Sequence, residues 1–278
     1  MGEVTAAAQK VNYKKTVKPP AGSFIITDDA PLLHNFALAI TPTNRLVLYS
    51  SFARGLEDAN TAPPDAANSG EAPPAIRTMQ WDAGFRYTLT PRLKLIAGYF
   101  HIQKPYFNVD PSHIYRQLGV EKHKGVEVSL AGTVLGGNLN LVAGAVLMNP
   151  IVTGEAVNSK LIGDKPVGQA ETILKLNADY RIPQVKGLSV DGAINYSGER
   201  PATSATFAAI GGSQLTTNGF TEIDLGMRYK FKVLDGKATT FRVQMLNITD
   251  NFAWQTGTSG ALYTTNPRAL QASLAVDF

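Results

Sequence analysis

The chain predicts an all-β fold, an antiparallel transmembrane β-barrel, and three observations carry that prediction. Over residues 268–278, Leu270, Ala272, Leu274, Val276 and Phe278 alternate with Ala269, Gln271, Ser273, Ala275 and Asp277. Successive strand residues point to opposite faces, so the segment is a ribbon with one apolar side and one polar or small side. The same alternation recurs through the rest of the chain. Finally, the connections switch between turns of a few residues and loops of roughly fifteen to twenty-five, the asymmetry of outer-membrane barrels.

Bulk properties agree. The 278 residues are 44% hydrophobic, with a mean hydropathy of -0.06. No stretch approaches the ~18–20 uninterrupted apolar residues of a membrane helix. A barrel strand needs an apolar residue only at every second position. Cysteine is absent, which removes disulfide frameworks and thiolate metal sites. The net charge of +4 is spread over strand ends, turns and loops. Its one local cluster, K-K-T-V-K at 14–18, has no serial aromatic partners, so nucleic acid is not expected as a partner. Residues 1–18 lack the apolar core of a secretory signal. An outer-membrane barrel needs one, so the chain is expected to be a fragment.

Taken in order, residues 4–13 hold one poorly patterned strand within an N-terminal stretch, 1–20, that is otherwise hard to assign. Residues 34–40 form a weak strand, T-P-T-N (41–44) a tight turn, and 46–52 the returning strand. The Pro63-Pro64 and Pro73-Pro74 pairs cannot join a ladder and mark 54–78 as loop. In 80–89, Trp81, Ala83, Phe85, Tyr87 and Leu89 alternate with Gln80, Asp82, Gly84, Arg86 and Thr88. After the turn T-P-R comes 93–103, then a loop at 104–122. The strand 125–131 leads through Gly136-Gly137 to 139–147, and a third loop covers 148–170. Strands at 172–182 and 188–197 precede a fourth loop at 198–219, rich in Ala, Thr, Ser and Gly. The strand 222–231, the turn L-D-G-K (234–237), the strand 239–248 and a loop around 254–267 lead to the final strand. The sum is about eleven or twelve strands, within the size range of such barrels. Tyr87, Tyr180, Tyr196, Phe231, Phe241 and Phe278 lie near strand ends, where an aromatic girdle belongs.

The orientation of the faces follows from cost. In 222–231, Ile223, Leu225, Met227, Tyr229 and Phe231 oppose Glu222, Asp224, Arg228 and Lys230. A basic residue facing lipid at mid-bilayer costs ~2–4 kcal/mol, so the charged side must face water or a polar filler. The alternative is a soluble β-sandwich whose apolar sides pack together. It calls for regular short connections and a protected final edge, and neither is visible.

The series E-I-D-L-G-M-R-Y (222–229), V-Q-M-L-N-I-T-D-N (243–251) with Trp254, N-P-R (266–268) and the closing Phe278 resembles the barrel end of TonB-dependent siderophore receptors. A-N-S-G-E-A-P-P (67–74), E-K-H-K-G-V-E (121–127) and P-V-G (166–168), ahead of a strand ending Y-R-I-P (180–183), are similar to that family too. The resemblance implies a barrel of about 22 strands, filled by an N-terminal plug, of which residues 1–278 would be the C-terminal part. It implies ferric siderophore as the substrate that carries the iron, with no separate cofactor. It also implies outer-membrane lipid around the wall and energy from the TonB complex through an N-terminal box. Against that pattern the plug, the box and about half the strands are missing. The inward charges Asp82, Arg86, Glu127, Lys175, Asp179, Glu222 and Arg228 then fit partners on a plug. A self-contained small porin or adhesin-like barrel is the second reading, and coding sequence upstream of Met1 separates the two.

No catalytic signature is present: no G-x-S-x-G, no phosphate-binding glycine loop and no H-E-x-x-H, so an enzyme is not expected. His101, Asp110, His113, Glu121 and His123 match no metal-ligand spacing. On the resemblance, substrate contacts fall on the outer loops. The candidates are Tyr106 and Tyr115 with Arg116 (beside Phe107 and His113), Arg200 (with Phe207), and Trp254 with Tyr263. The aromatics would stack on the siderophore and the guanidinium groups would pair with its anionic groups.

Overall fold

The computed structural model describes residues 1–18, 23–233 and 236–277. The predicted outward place of Phe278, part of the turn at 234–237 and residues 19–20 of the N-terminal stretch lie outside the described residues. In chain order, β1 (Gly2–Lys10), β2 (Tyr13–Val17), β3 (Ile25–Asp29), β4 (Leu32–Thr43) and β5 (Leu46–Glu57) come first. Then come β6 (Ile76–Thr90), β7 (Leu93–Val109), β8 (Tyr115–Val134), β9 (Leu139–Thr153) and a one-turn helix α1 (Glu155–Asn158). The chain continues through β10 (Thr172–Arg181), β11 (Leu188–Ser197), β12 (Arg200–Phe207), β13 (Ser213–Thr217) and β14 (Phe220–Lys232). It ends on β15 (Ala238–Leu246), β16 (Trp254–Thr256), β17 (Leu262–Thr264) and β18 (Ala269–Val276).

Twelve strands form one sheet in the order β1-β4-β5-β6-β7-β8-β9-β10-β11-β14-β15-β18. Each neighbouring pair is antiparallel. The other six strands form the hairpins β2–β3, β12–β13 and β16–β17. All three hairpins sit in the connections at one end of the sheet, whereas the opposite end carries only short turns. The long-loop end is the extracellular one for such a wall. Among the described residues β1 and β18 do not pair with each other, so the wall is open along both edges.

The segments predicted as loops differ most from the structure. Residues 104–122 are largely strand: β7 runs on to Val109 and β8 starts at Tyr115. Tyr106, Phe107 and Val109 face Gly119, Gln117 and Tyr115 across the ladder, and Pro105 is accommodated opposite Val120. The reversal needs only residues 110–114. Asp110 closes it by accepting the backbone N–H of Ser112 at 2.9 Å and of Ile114 at 3.0 Å. Likewise 198–219 contains the β12–β13 hairpin, and 148–170 begins as strand up to Thr153.

Register fixes the two faces, because directly opposed residues share a side. Leu225, Met227 and Tyr229 of β14 face Met245, Val243 and Phe241 of β15, which face Leu270, Ala272 and Leu274 of β18. These rows are open to the surroundings, with Leu225 49% and Leu270 67% exposed. The buried apolar residues instead cluster toward the loop end, Leu118, Val152, Ala156, Ile162 and Phe220 among them. A sandwich would bury the rows; this wall turns them outward, as lipid requires.

The charged rows occupy the other face. Arg228 reaches Asp179 at 2.7 Å across β11, and Arg242 reaches Asp191 at 3.1 Å across β14. Strands two apart lie ~9.5 Å from each other, so long arginine side chains close these gaps on the lumen side. Gly226 leaves the room, since a Cβ there would stand 2.5 Å from Asp191 Oδ2. Arg228→Ala is expected to lower barrel stability by about 1–2 kcal/mol, a charged hydrogen bond discounted for partial exposure. An unchanged urea midpoint in the refolded barrel would refute this.

Candidate functional site

The outer connections are stitched to one another in strand order. Lys15 of β2 pairs with Asp58 at 3.0 Å, and Arg77 at the start of β6 pairs with Asp29 of β3 at 2.9 Å. The Asn68 side chain receives the N–H of Tyr115 at 2.8 Å and donates to its carbonyl at 3.0 Å. Gly163 N–H donates to the Ser204 carbonyl at 2.8 Å, and the Gln214 amide donates to the Lys165 carbonyl at 2.8 Å. Arg200 donates to Ser197 Oγ at 3.1 Å and to the Thr256 carbonyl at 3.4 Å, tying β12 to β16. The result is a collar of loops rather than separate arms.

Inside the collar lies a cavity of about 780 Å³, within the size range of small-molecule sites. Lys104, Tyr106, Tyr115, Glu121, Lys165 and Phe207 are among the groups lining it. Val152 and Ile162 also line it, and with Leu118 and Ala156 they form the buried cluster against which Tyr106 packs. That packing fixes the Tyr106 ring, and desolvation raises its phenol above the ordinary tyrosine range. The phenol therefore stays a neutral donor and acceptor at physiological pH. Tyr115 is raised for the same reason, and its ring lies 5.8 Å from that of Phe107. Lys165 is held by Glu171 at 2.5 Å, and Lys104 faces Glu57 at 3.8 Å. The lining thus offers aromatic faces, phenols and charges of both signs, which suits a polar ligand with donors, acceptors and a flat face.

Of the residues chosen from sequence, the cavity gathers Tyr106 and Tyr115. Arg116 stands outside its lining, between Asp110 and Glu155, at 2.6 Å from each. Arg200 serves the β12–β16 tie described above. Trp254 and Tyr263 lie on the β16–β17 hairpin, 52% and 48% exposed, with Trp254 edge-on to Phe252 at 6.0 Å. Of the residues that match no metal-ligand spacing, His123 meets Glu121 at 2.7 Å, His101 meets Gln103 at 2.8 Å, and Asp110 closes its turn. Sequence reasoning passed over Lys104, Glu121 as a lining group, and Lys165. Lys104 and Glu121 face each other across the β7–β8 ladder, and the folding of the β9–β10 connection brings Lys165 to them.

The Arg116 triad sets a pH dependence. Asp110 is held below the usual carboxylate range, first by the Ile114 N–H and then by Arg116, and Glu155 is lowered chiefly by Arg116. A depressed folded value gives stabilisation that is complete above the unfolded carboxylate pKa, ~4, and is lost as pH falls through the folded value. Protection of the backbone amides over 153–162, taken relative to the intrinsic exchange rate at each pH, is therefore expected to be constant from pH 7 to about 5 and to fall below about 4. Glu155→Gln should bring the lower protection to pH 7. Exchange in that variant matching the parent would refute the lock.

Comparison with known proteins follows the same lines. Residues 5–248 match a family model described as TonB dependent receptor-like, beta-barrel. The ferrichrome receptor FcuA of Yersinia enterocolitica is 28% identical over 275 residues, covering 96% of this chain and 34% of the receptor. The chain therefore spans about a third of that curated relative. Among solved structures, the ferric preacinetobactin receptor BauA of Acinetobacter baumannii superposes with a TM-score of 0.83 at 24% identity. That match covers 100% of this chain and 40% of BauA. The unliganded ferric citrate transporter FecA gives a TM-score of 0.76 at 16% identity, over 97% of this chain and 42% of FecA. At these identities the structural matches establish the fold.

Proposed function

The chain belongs to the TonB-dependent receptor-like β-barrel family, and from that membership we propose that it forms part of a receptor taking up ferric siderophores. Its place is the outer membrane, with the apolar rows in lipid and the charged rows toward the lumen. In this reading iron enters as cargo within the siderophore, no resident cofactor is needed and the wall has no catalytic task. The TonB complex supplies energy through parts of the receptor beyond this wall.

The observation that carries the proposal is the cavity inside the collar, where Tyr106 and Tyr115 meet Lys104 and Lys165 at the extracellular end. A ligand arriving from outside meets aromatic faces and paired charges before it reaches the lumen. The ferrichrome receptor among the relatives supports the same substrate class. The unpaired edges of β1 and β18 favour a larger barrel over a self-contained porin or adhesin-like barrel of twelve strands. Further strands would complete the wall, since an open edge in lipid leaves backbone groups unsatisfied.

The test is a titration of the full-length receptor with ferrichrome, a ferric catecholate and ferric citrate, followed by quenching of intrinsic fluorescence. The combined Tyr106→Ala, Tyr115→Ala and Lys165→Ala variant is expected to weaken the best ligand about tenfold or more, the equivalent of ~1.4 kcal/mol. A receptor that binds none of the three, or a variant with unchanged affinity, would sink the proposal. The combination Tyr115→Ala, Arg116→Ala and Trp254→Ala asks the same of the remaining candidates.

A further inference from the structure

Between β13 and β14 the chain crosses from the collar to the wall through Asn218 and Gly219 alone. Both are exposed and belong to neither strand. Buried anchors stand on either side of them. The Thr217 hydroxyl lies 3.2 Å from that of Thr256, which ties β13 to β16, and Phe220 is packed at the start of the wall strand. The place of β13 on the collar therefore depends on a bridge of fixed length.

Asn218-Gly219 is the one Asn-Gly step in the sequence. An asparagine side chain can be attacked by the backbone nitrogen of the next residue, and glycine, lacking a Cβ, leaves that approach open. Hydrogen bonds that hold the side-chain amide, or that hold the attacking N–H, oppose the reaction. Neither restraint operates here. Among the described residues the Asn218 amide has no hydrogen-bond partner, and the Gly219 N–H donates to no carbonyl. An exposed N–H of this kind is satisfied by water. Other asparagines of the collar differ. Asn68 holds both backbone groups of Tyr115 with its amide, and the buried Asn247 spends both ends of its amide on Asn251 and Asn266. The glycine itself is required by packing. A Cβ at Gly219 would stand 3.0 Å from the Ser197 carbonyl oxygen and 3.2 Å from Gly198 Cα. The close passage of two connections thus keeps the labile step in place.

We propose that Asn218 is a site of spontaneous deamidation and that its isoaspartate product loosens the β12–β13 side of the collar. The Gly219 nitrogen forms a bond to Cγ of Asn218 and gives up its proton. The amide Cγ–N bond breaks and ammonia leaves. Water then opens the cyclic imide, with nothing oxidised or reduced. Opening at Cγ gives aspartate; opening at the backbone carbonyl carbon gives isoaspartate, in which the chain runs through Cγ. Isoaspartate lengthens the bridge by one carbon–carbon bond, about 1.5 Å, between anchors that packing holds at a set separation. The mismatch falls on β13, whose Gln214 accepts the Lys165 N–H at 3.0 Å and donates to the Thr203 carbonyl at 2.7 Å. The inference is independent of what the cavity captures.

The test incubates the folded full-length receptor at neutral and at mildly alkaline pH, with peptide mass spectrometry as the readout and electron-transfer fragmentation to tell isoaspartate from aspartate. Asn218 is expected to convert within about threefold of its rate in a free peptide of residues 213–223, as in a segment that reacts without prior opening. Conversion should be faster at the higher pH, because the deprotonated backbone amide is the nucleophile. Asn68 and Asn247 should remain amides. The converted receptor should show lower hydrogen-exchange protection over 213–217 than the parent. Asn218→Asp, which carries the charge without the longer chain, should keep the parent protection, and Asn218→Gln should abolish conversion and keep it too. Conversion more than about tenfold slower in the receptor than in the peptide would overturn the site. So would conversion of Asn68 at the same rate, which would make it a consequence of collar unfolding. Unchanged protection after conversion, or an equal loss in Asn218→Asp, would overturn the loosening.

Discussion

Val128→Arg is expected to cost the barrel about 2–4 kcal/mol, whereas Val142→Arg, on the neighbouring strand, should cost less than about 1 kcal/mol. Both valines are exposed, at 41% and 55%, so exposure alone does not separate them. Register does. Val128 lies opposite Ala97 and Ala145, within the row that continues into Leu174. Val142 lies opposite Ala131 and Asn177, on the face that carries Lys175 and Asp179. An arginine at 128 must desolvate its guanidinium in hydrocarbon or distort the bilayer around it. One at 142 enters a water-accessible lumen where acidic side chains already stand. Urea titrations of the full-length barrel in phosphatidylcholine vesicles, followed by tryptophan fluorescence, measure both. Equal costs, or the reverse order, would mean that the faces are assigned the wrong way round.

The same alternation explains how much of the wall was legible before any coordinates. A strand with one lipid face and one lumen face must change polarity at every residue, so 80–89, 172–182 and 222–231 announce themselves. The collar obeys no such rule. β13 has five residues, and β16 and β17 have three each; these are too short to establish a period and are rich in Ser and Thr. The outer part of the β7–β8 hairpin was hidden differently. Its residues are intermediate on both faces, as at Tyr106 and Val109, because collar and solvent replace lipid and lumen there. Pro105 fits within the ladder opposite Val120, and Asp110 closes the turn.

The candidate site was legible by residue type and illegible by partnership. Tyr106 and Tyr115 stood out as aromatics in an outer connection, and both line the cavity. Arg116 and Arg200 stood out as cations. In the fold, Arg116 is engaged by Asp110 and Glu155, and Arg200 by Ser197 and Thr256. Whether a guanidinium is occupied depends on which connections pack together, and alternation carries no information on that. Lys165 makes the same point in the other direction. It occupies an unremarkable position in the chain, yet its place in the lining depends on Gln214 accepting its backbone N–H at 3.0 Å.

Gly84→Ala is expected to destabilise the barrel by about 3 kcal/mol, at the upper end of overpacking costs, and Tyr49→Phe should not rescue it. Tyr49, Gly84, Gly98 and Glu127 form one register row across β5, β6, β7 and β8 on the lumen side. The tyrosine lies over both glycines. A Cβ at Gly84 would overlap the Ala97 carbonyl oxygen and stand 2.7 Å from both Gly98 Cα and Tyr49 Oη. Two of those three atoms are backbone, so the strands must part to admit it. A Cβ at Gly98 meets mainly Tyr49 Oη, at 2.6 Å, with the next backbone atom at 3.4 Å. Gly98→Ala should therefore cost about 1–2 kcal/mol alone and much less with Tyr49→Phe, which removes the clashing oxygen. A double-mutant cycle reads this directly, with a coupling of about 1 kcal/mol or more for the Gly98 pair and near zero for the Gly84 pair. Similar coupling in both cycles would mean that the ring, and not the approach of β6 to β7, sets the need for glycine at Gly84.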